Sequence, residues 1–132
     1  MSTNVTGIRE LSLVCVPVTD QDRSLEFYEG VLGLEKRVDT EFAGGRMRWV
    51  EVYAPVGSTG IALAPPPPGS EFNPQFTGIT LTTDEIDATH AELSSRGVDL
   101  DEVQRMGDPV PPMFFLRDPD GNGLLIVESA AS

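Results

Sequence analysis

The chain carries one pattern twice, and that repetition limits the folds open to it. Thr19-Asp20 begins a segment that runs through Leu25 and Leu32 to Gly33-Leu34. Sixty-four positions later Thr83-Asp84 begins another, running through Ile86 and Leu93 to Gly97-Val98. A strand-like run precedes each copy (residues 11–18 and 76–82), and more strand-like sequence follows each glycine. Two copies of one supersecondary unit in tandem imply a pseudo-symmetric fold with a cleft between its halves. At 132 residues the chain suits one domain, since neither half is long enough to stand comfortably alone.

In the first copy the alternating, Val-rich residues 11–18 read as a strand. Thr19 or Asp20 then caps a helix that runs to about Leu32 on an apolar stripe of Leu25, Tyr28 and Leu32, with Phe27 and Val31 beside it. Gly33 is placed to end it in the left-handed conformation. Residues 34–42, 46–53 and 60–64 read as strands, with a turn at Gly44-Gly45. Pro65-Pro66-Pro67-Pro68-Gly69-Ser70 is a stiff extended connector. The second copy repeats the order: strand 76–82, helix 84–96, then strands 98–106, 110–117 and 123–129. Asp118-Pro119-Asp120-Gly121-Asn122 joins the last two as a hairpin turn. The expected class is α+β: one domain spanning 1–132, built of two βαβββ modules (about 9–64 and 75–129) with a proline linker at 65–74.

A net charge of −12 argues against nucleic acid, whose phosphates need Lys and Arg. It suits solubility, and it would also draw in a cationic ligand. No apolar run approaches the roughly 20 residues that cross a bilayer. With neither membrane segment nor signal-like N-terminus, the cytoplasm is the expected compartment. A single cysteine excludes an internal disulfide and a multi-cysteine zinc site.

The phrase Val18-Thr19-Asp20-Gln21-Asp22-Arg23-Ser24-Leu25-Glu26-Phe27-Tyr28, followed by Val31-Leu32-Gly33-Leu34, resembles the first module of the glyoxalase/bleomycin-resistance/dioxygenase (vicinal oxygen chelate) superfamily. Phe115-Leu116-Arg117-Asp118-Pro119-Asp120-Gly121-Asn122 resembles the closing hairpin of its second module. The resemblance implies two sheets curling into an open barrel-like cleft, with helices on the convex side and ligands on the concave side. It also implies a homodimer, with modules paired within one chain or exchanged between two. It does not fix a function, because the superfamily includes isomerases, dioxygenases, thiol transferases and antibiotic binders.

Metal-dependent members place His, Glu or Gln ligands on the first and fourth strands of each module. In this chain the corresponding positions fall on Leu13, Ala62, Thr77 or Gly78, and Leu125, which cannot build a site for a divalent ion. No metal and no cofactor are therefore expected. Alternation instead turns Leu13, Cys15, Met47, Trp49, Glu51 and Tyr53 toward the cleft, joined by Ala62 in the first module and by Met113, Phe115 and Leu125 in the second. That apolar and aromatic lining suits a flat small molecule. Glu51 can serve as a base or pair with a cationic ligand; Cys15 is either a small space-filler or a ligand contact. Arg46 and Arg48 are either surface charges or anchors for an anion. His90, the only histidine, sits on the helix stripe, away from the cleft. The favoured function is a metal-free binder of an antibiotic or aromatic metabolite. The alternatives are a glyoxalase-like lyase, isomerase or dioxygenase acting on a small molecule, with or without a divalent metal, and an interaction module with a vestigial cleft.

Overall fold

In the computed structural model, which describes residues 5–129, both copies of the repeat become a four-stranded sheet with one helical segment on it. The first comprises β1 (Leu13–Pro17), α1 (Gln21–Leu25), β2 (Glu35–Phe42), β3 (Met47–Tyr53) and β4 (Gly60–Ala64). The second comprises β5 (Phe76–Thr83), α2 (Ile86–Ser95), β6 (Asp99–Leu100), β7 (Met113–Arg117) and β8 (Gly123–Glu128). The strand orders match: β1-β4-β3-β2 and β5-β8-β7-β6. In each sheet the first strand pairs parallel with the last and the remaining pairs are antiparallel. The sheets stay separate and do not close into a barrel.

Local chemistry accounts for the helix boundaries. Asp20 is extended and its carboxylate accepts from the Arg23 N–H, satisfying one of the free donors of the first turn. α1 widens after Leu25 into a π-helical turn over Glu26–Val31, where the Leu32 N–H reaches the Phe27 carbonyl. The wider turn buries the adjacent residues Phe27 and Tyr28 together, their rings edge to face at 5.3 Å. Gly33 and its counterpart Gly97 both have φ near +80°, a conformation costly for any side chain with a Cβ. Two predicted strands are shorter than expected. Residues 98–106 pair only over β6 and at an isolated bridge from Gln104 to Met113, and β7 begins at Met113 because Pro109, Pro111 and Pro112 have no N–H to donate.

Alternation sets the faces. Val16, Val18, Val50, Val52 and Leu63 turn beneath α1, and Phe114, Leu116, Leu124 and Ile126 turn inward in the second sheet, all of them buried. They form a single core with Leu25, Tyr28, Ile86 and Leu93 from the helical segments. The opposite faces are only partly covered, and we call them the open faces. His90 is on the core side, its ring edge to face with Phe114 and one ring nitrogen 2.9 Å from the Asp101 carbonyl.

The Asp118–Asn122 turn does more than reverse the chain. Its Asp118 carboxylate is buried and accepts from the Tyr28 hydroxyl at 2.8 Å, the Asp120 N–H at 2.9 Å, the Asn122 N–H at 2.8 Å and the Asn122 amide at 3.1 Å. The Asn122 amide also donates to the Pro17 carbonyl at 2.9 Å, and Asp120 takes bonds from Thr19 and Arg23. The hairpin of one module is thereby fastened to the helix of the other. Burial, and then the Asp118 charge, push the Tyr28 phenol well above its ordinary range, so it remains a donor.

Two predictions follow from these contacts. Tyr28→Phe should lower unfolding free energy by about 1.5–3 kcal/mol, as expected for a lost bond to a charged buried acceptor. Urea unfolding would show this as a lower midpoint at unchanged slope. On the surface, the hydrogen bond from Arg48 holds the Asp39 carboxyl at about 2. The unfolded value is higher, about 3.9, so the pair stabilises fully above that value and its contribution is lost as pH falls through about 2. Asp39→Asn should therefore cost about 0.5–1 kcal/mol at pH near 6, with the difference from the parent chain vanishing in acid titration of stability.

Candidate functional site

The open face of the first sheet gathers most of the residues expected to line a ligand site. Along β3, Trp49, Glu51 and Tyr53 alternate with the buried Val50 and Val52, so all three project from one face and each is half-buried. The Glu51 carboxylate is clasped from both sides: the Trp49 indole N–H donates to Oε2 and the Tyr53 hydroxyl to Oε1, each at 2.6 Å. Two of roughly four lone-pair positions are used, leaving capacity for a further donor. The bond to Glu51 is also the first cause that raises the Tyr53 phenol above its ordinary range, followed by desolvation.

Cross-strand register supplies the floor. Ala62 lies opposite Glu51 on one side and Cys15 on the other, so a small, buried alanine separates the thiol from the carboxylate. One step along, Gly60 lies opposite Tyr53 and Leu13. Any Cβ at Gly60 would come within 2.5 Å of the Tyr53 ring, so the ring lies directly on bare backbone. Sequence reasoning left Gly60 out of the site, although glycine inside a strand is a signal for close approach. It also missed Arg37. A β-bulge between Lys36 and Val38 leaves Arg37 out of register, and its guanidinium sits 4.7 Å from the Tyr53 ring centroid.

The remaining expected residues are elsewhere. Met47 begins β3, 45% exposed, opposite Phe42. Met113, Phe115 and Leu125 occupy the open face of the second sheet, where Phe115 pairs with Leu125 and stands edge to face with Phe76 at 5.5 Å. Phe115 lines a cavity of about 260 Å³ together with Phe76 and Arg117, to which Trp49, Glu51 and Tyr53 do not contribute. The expected lining is thus divided between two open faces of one chain.

The cationic anchor considered at Arg48 is otherwise engaged. Arg48 projects to the helix side, bonded to Asp39 at 2.8 and 2.9 Å and to Asp22 at 2.7 Å. Arg46 donates to the Ala43 carbonyl within its own turn. The metal positions also fail a chemical test: Leu13, Ala62 and Leu125 carry no ligand atom, and the Thr77 hydroxyl donates to the Gly123 carbonyl at 2.8 Å. Among the described residues no group of three or more His, Cys, Asp or Glu side chains converges as ligands would. Nor is any described helix long and apolar enough to cross a membrane.

Comparison with known proteins agrees with this architecture. The profile of the Glyoxalase/Bleomycin resistance protein/Dioxygenase superfamily matches residues 10–126. Comparison with curated proteins finds no match. Among solved structures, TnmS3, an antibiotic binding protein from Streptomyces sp. CB03234, is 28% identical with a TM-score of 0.80, the alignment covering 95% of this chain and 99% of that one. A superfamily member from Sphaerobacter thermophilus DSM 20745 is 33% identical with a TM-score of 0.82, covering 92% and 98%. A glyoxalase/bleomycin resistance protein from Streptomyces sp. CB03234 is 29% identical with a TM-score of 0.74, covering 89% and 99%.

The stacking of Tyr53 on Gly60 yields a direct test. Gly60→Ala should displace the ring and cost about 1–3 kcal/mol, the usual range for overpacking. In Tyr53→Leu the same glycine substitution should cost far less, giving a double-mutant coupling of about 1 kcal/mol or more in thermal or urea unfolding.

Proposed function

This chain belongs to the Glyoxalase/Bleomycin resistance protein/Dioxygenase superfamily, and on that premise we propose that it binds a flat, aromatic small molecule, an antibiotic or metabolite, without a divalent metal. The observation that carries this reading is the Trp49-Glu51-Tyr53 clasp on an open sheet face. Two aromatic side chains offer stacking surface, their polar ends are already satisfied by one carboxylate, and that carboxylate can accept a further bond from the ligand. Leu13, Cys15 and Ala62 would form the rest of the platform, and Met47 its edge. A net charge of −12 favours a ligand carrying a positive charge or several donors. The antibiotic-binding relative supports the same class of function.

The proposal extends to assembly. The modules, about 9–64 and 75–129, act as halves of one domain, and the active form is a cytoplasmic homodimer. Neither open face is enclosed within a single chain, so a second copy would bring Met113, Phe115 and Leu125 of one protomer over the Trp49 platform of the other. Binding is favoured over catalysis because Glu51 is tied to Trp49 and Tyr53, and among the described residues no group of three or more His, Cys, Asp or Glu gathers around it.

Trp49 is the only tryptophan, so its fluorescence reports on the proposed site without labelling. Proflavine, flat and cationic, should quench it saturably, and naphthoate, flat and anionic, should bind more weakly. Glu51→Gln should weaken proflavine by about tenfold, equivalent to about 1.4 kcal/mol. Absence of saturable quenching by either probe, together with a melting temperature raised by Zn²⁺, Ni²⁺ or Mn²⁺, would overturn the reading.

A further inference from the structure

A cavity lies at the seam between the modules, on the side of the first sheet opposite the Trp49 platform, and meets that platform at Gly60. It encloses about 410 Å³, within the range of small-molecule sites. Its floor is made of Leu34, Val52, Ile61 and Ile79, all of them buried, from both sheets and the loop after the first helical segment. Ala54 and Leu81 continue that wall into a neighbouring groove of about 300 Å³ that reaches Leu93 and Ile126. The two spaces share Leu34, Ala54, Leu81 and Thr82.

Neither space is lined by a charged side chain, in a chain where charged residues make up 23%. The rim is polar but uncharged. The Thr59 hydroxyl is taken by the Leu11 carbonyl at 2.9 Å, whereas the hydroxyls of Ser58 and Thr82 have no bond among the described residues. Leu11 also lines the cavity, its backbone held by the Thr59 hydroxyl and by the neighbouring bond from the Gly60 N–H to the Ser12 carbonyl. An ionic ligand would lose its hydration in this seam without gaining a counter-charge. A neutral, largely apolar one would cover the wall and could place a single polar end against Ser58 and Thr82.

We propose that the seam is a second binding site, specific for a neutral lipophilic small molecule with one polar end and independent of the Trp49 platform. Ala54 follows Tyr53 just past the end of β3 and lines both spaces, so enlarging it fills the seam.

The test is a fluorescence titration of the full chain with N-phenylnaphthylamine, a neutral apolar probe, beside anilinonaphthalene sulfonate, its anionic analogue. The neutral probe should bind saturably and the anionic one at least about tenfold more weakly. Ala54→Phe should weaken the neutral probe by about tenfold or more. Leu11→Ser, at a position 68% exposed and so tolerant of change, should weaken it by a smaller factor and keeps the test decisive if Ala54→Phe does not fold. Trp49→Leu should leave the probe's affinity as it was. The proposal is overturned if the neutral probe does not saturate, if the anionic probe binds as well, or if Trp49→Leu abolishes binding while the seam variants retain it.

Discussion

One buried carboxylate organises this molecule. Asp118 takes four hydrogen bonds, three from its own turn and one from Tyr28 in the other module. An ionised side chain out of water is costly unless its lone pairs are filled, and here the filling groups come from both halves of the chain. The same turn offers Asn122 to the Pro17 carbonyl and Asp120 to Thr19 and Arg23. The junction is therefore polar and directional, which a purely apolar seam would not be. It sets how the first helical segment meets the second sheet. Both open faces remain only partly covered.

Much of this was legible in the repeat. The spacing of Thr19-Asp20 to Gly33 and of Thr83-Asp84 to Gly97 pointed to two similar modules, and period-two alternation separated Val50 and Val52 from Trp49, Glu51 and Tyr53. The turn at 118–122 was also plain, but not its second role, since nothing local in Asp-Pro-Asp-Gly-Asn says that its first carboxylate will meet a tyrosine ninety residues away. The lengths of strands at 98–106 and 110–117 were overestimated. Apolar residues there suggested pairing, while the prolines at 109, 111 and 112 withheld the donors that pairing needs. For the candidate site, alternation put Trp49, Glu51 and Tyr53 on one face, but it did not show the separation of Met113, Phe115 and Leu125 onto the other sheet. Within one chain Phe115 and Trp49 stand on the open faces of different sheets. Arg37 reached Tyr53 only through a bulge.

The chemistry of the platform differs from that of a metal centre in kind. A metal site fixes its ligand through a few strong, directional bonds. The first sheet instead presents Trp49 and Tyr53 as surface, held still by Glu51 and by the bare backbone of Gly60. Pre-organised aromatic surface binds by area and shape, and it tolerates related ligands more readily than a coordination shell does. The positions at which metal-dependent relatives would need donor atoms hold Leu13, Ala62 and Leu125.

Native mass spectrometry of the purified full-length chain tests that account most directly, because one spectrum reports subunit count, bound metal and retained small molecules. A dimer whose mass contains no stoichiometric metal, and which takes up proflavine in a Glu51-dependent way, is the outcome expected. A species carrying one divalent ion per subunit that is lost with chelator, together with proflavine uptake indifferent to Glu51→Gln, would contradict it.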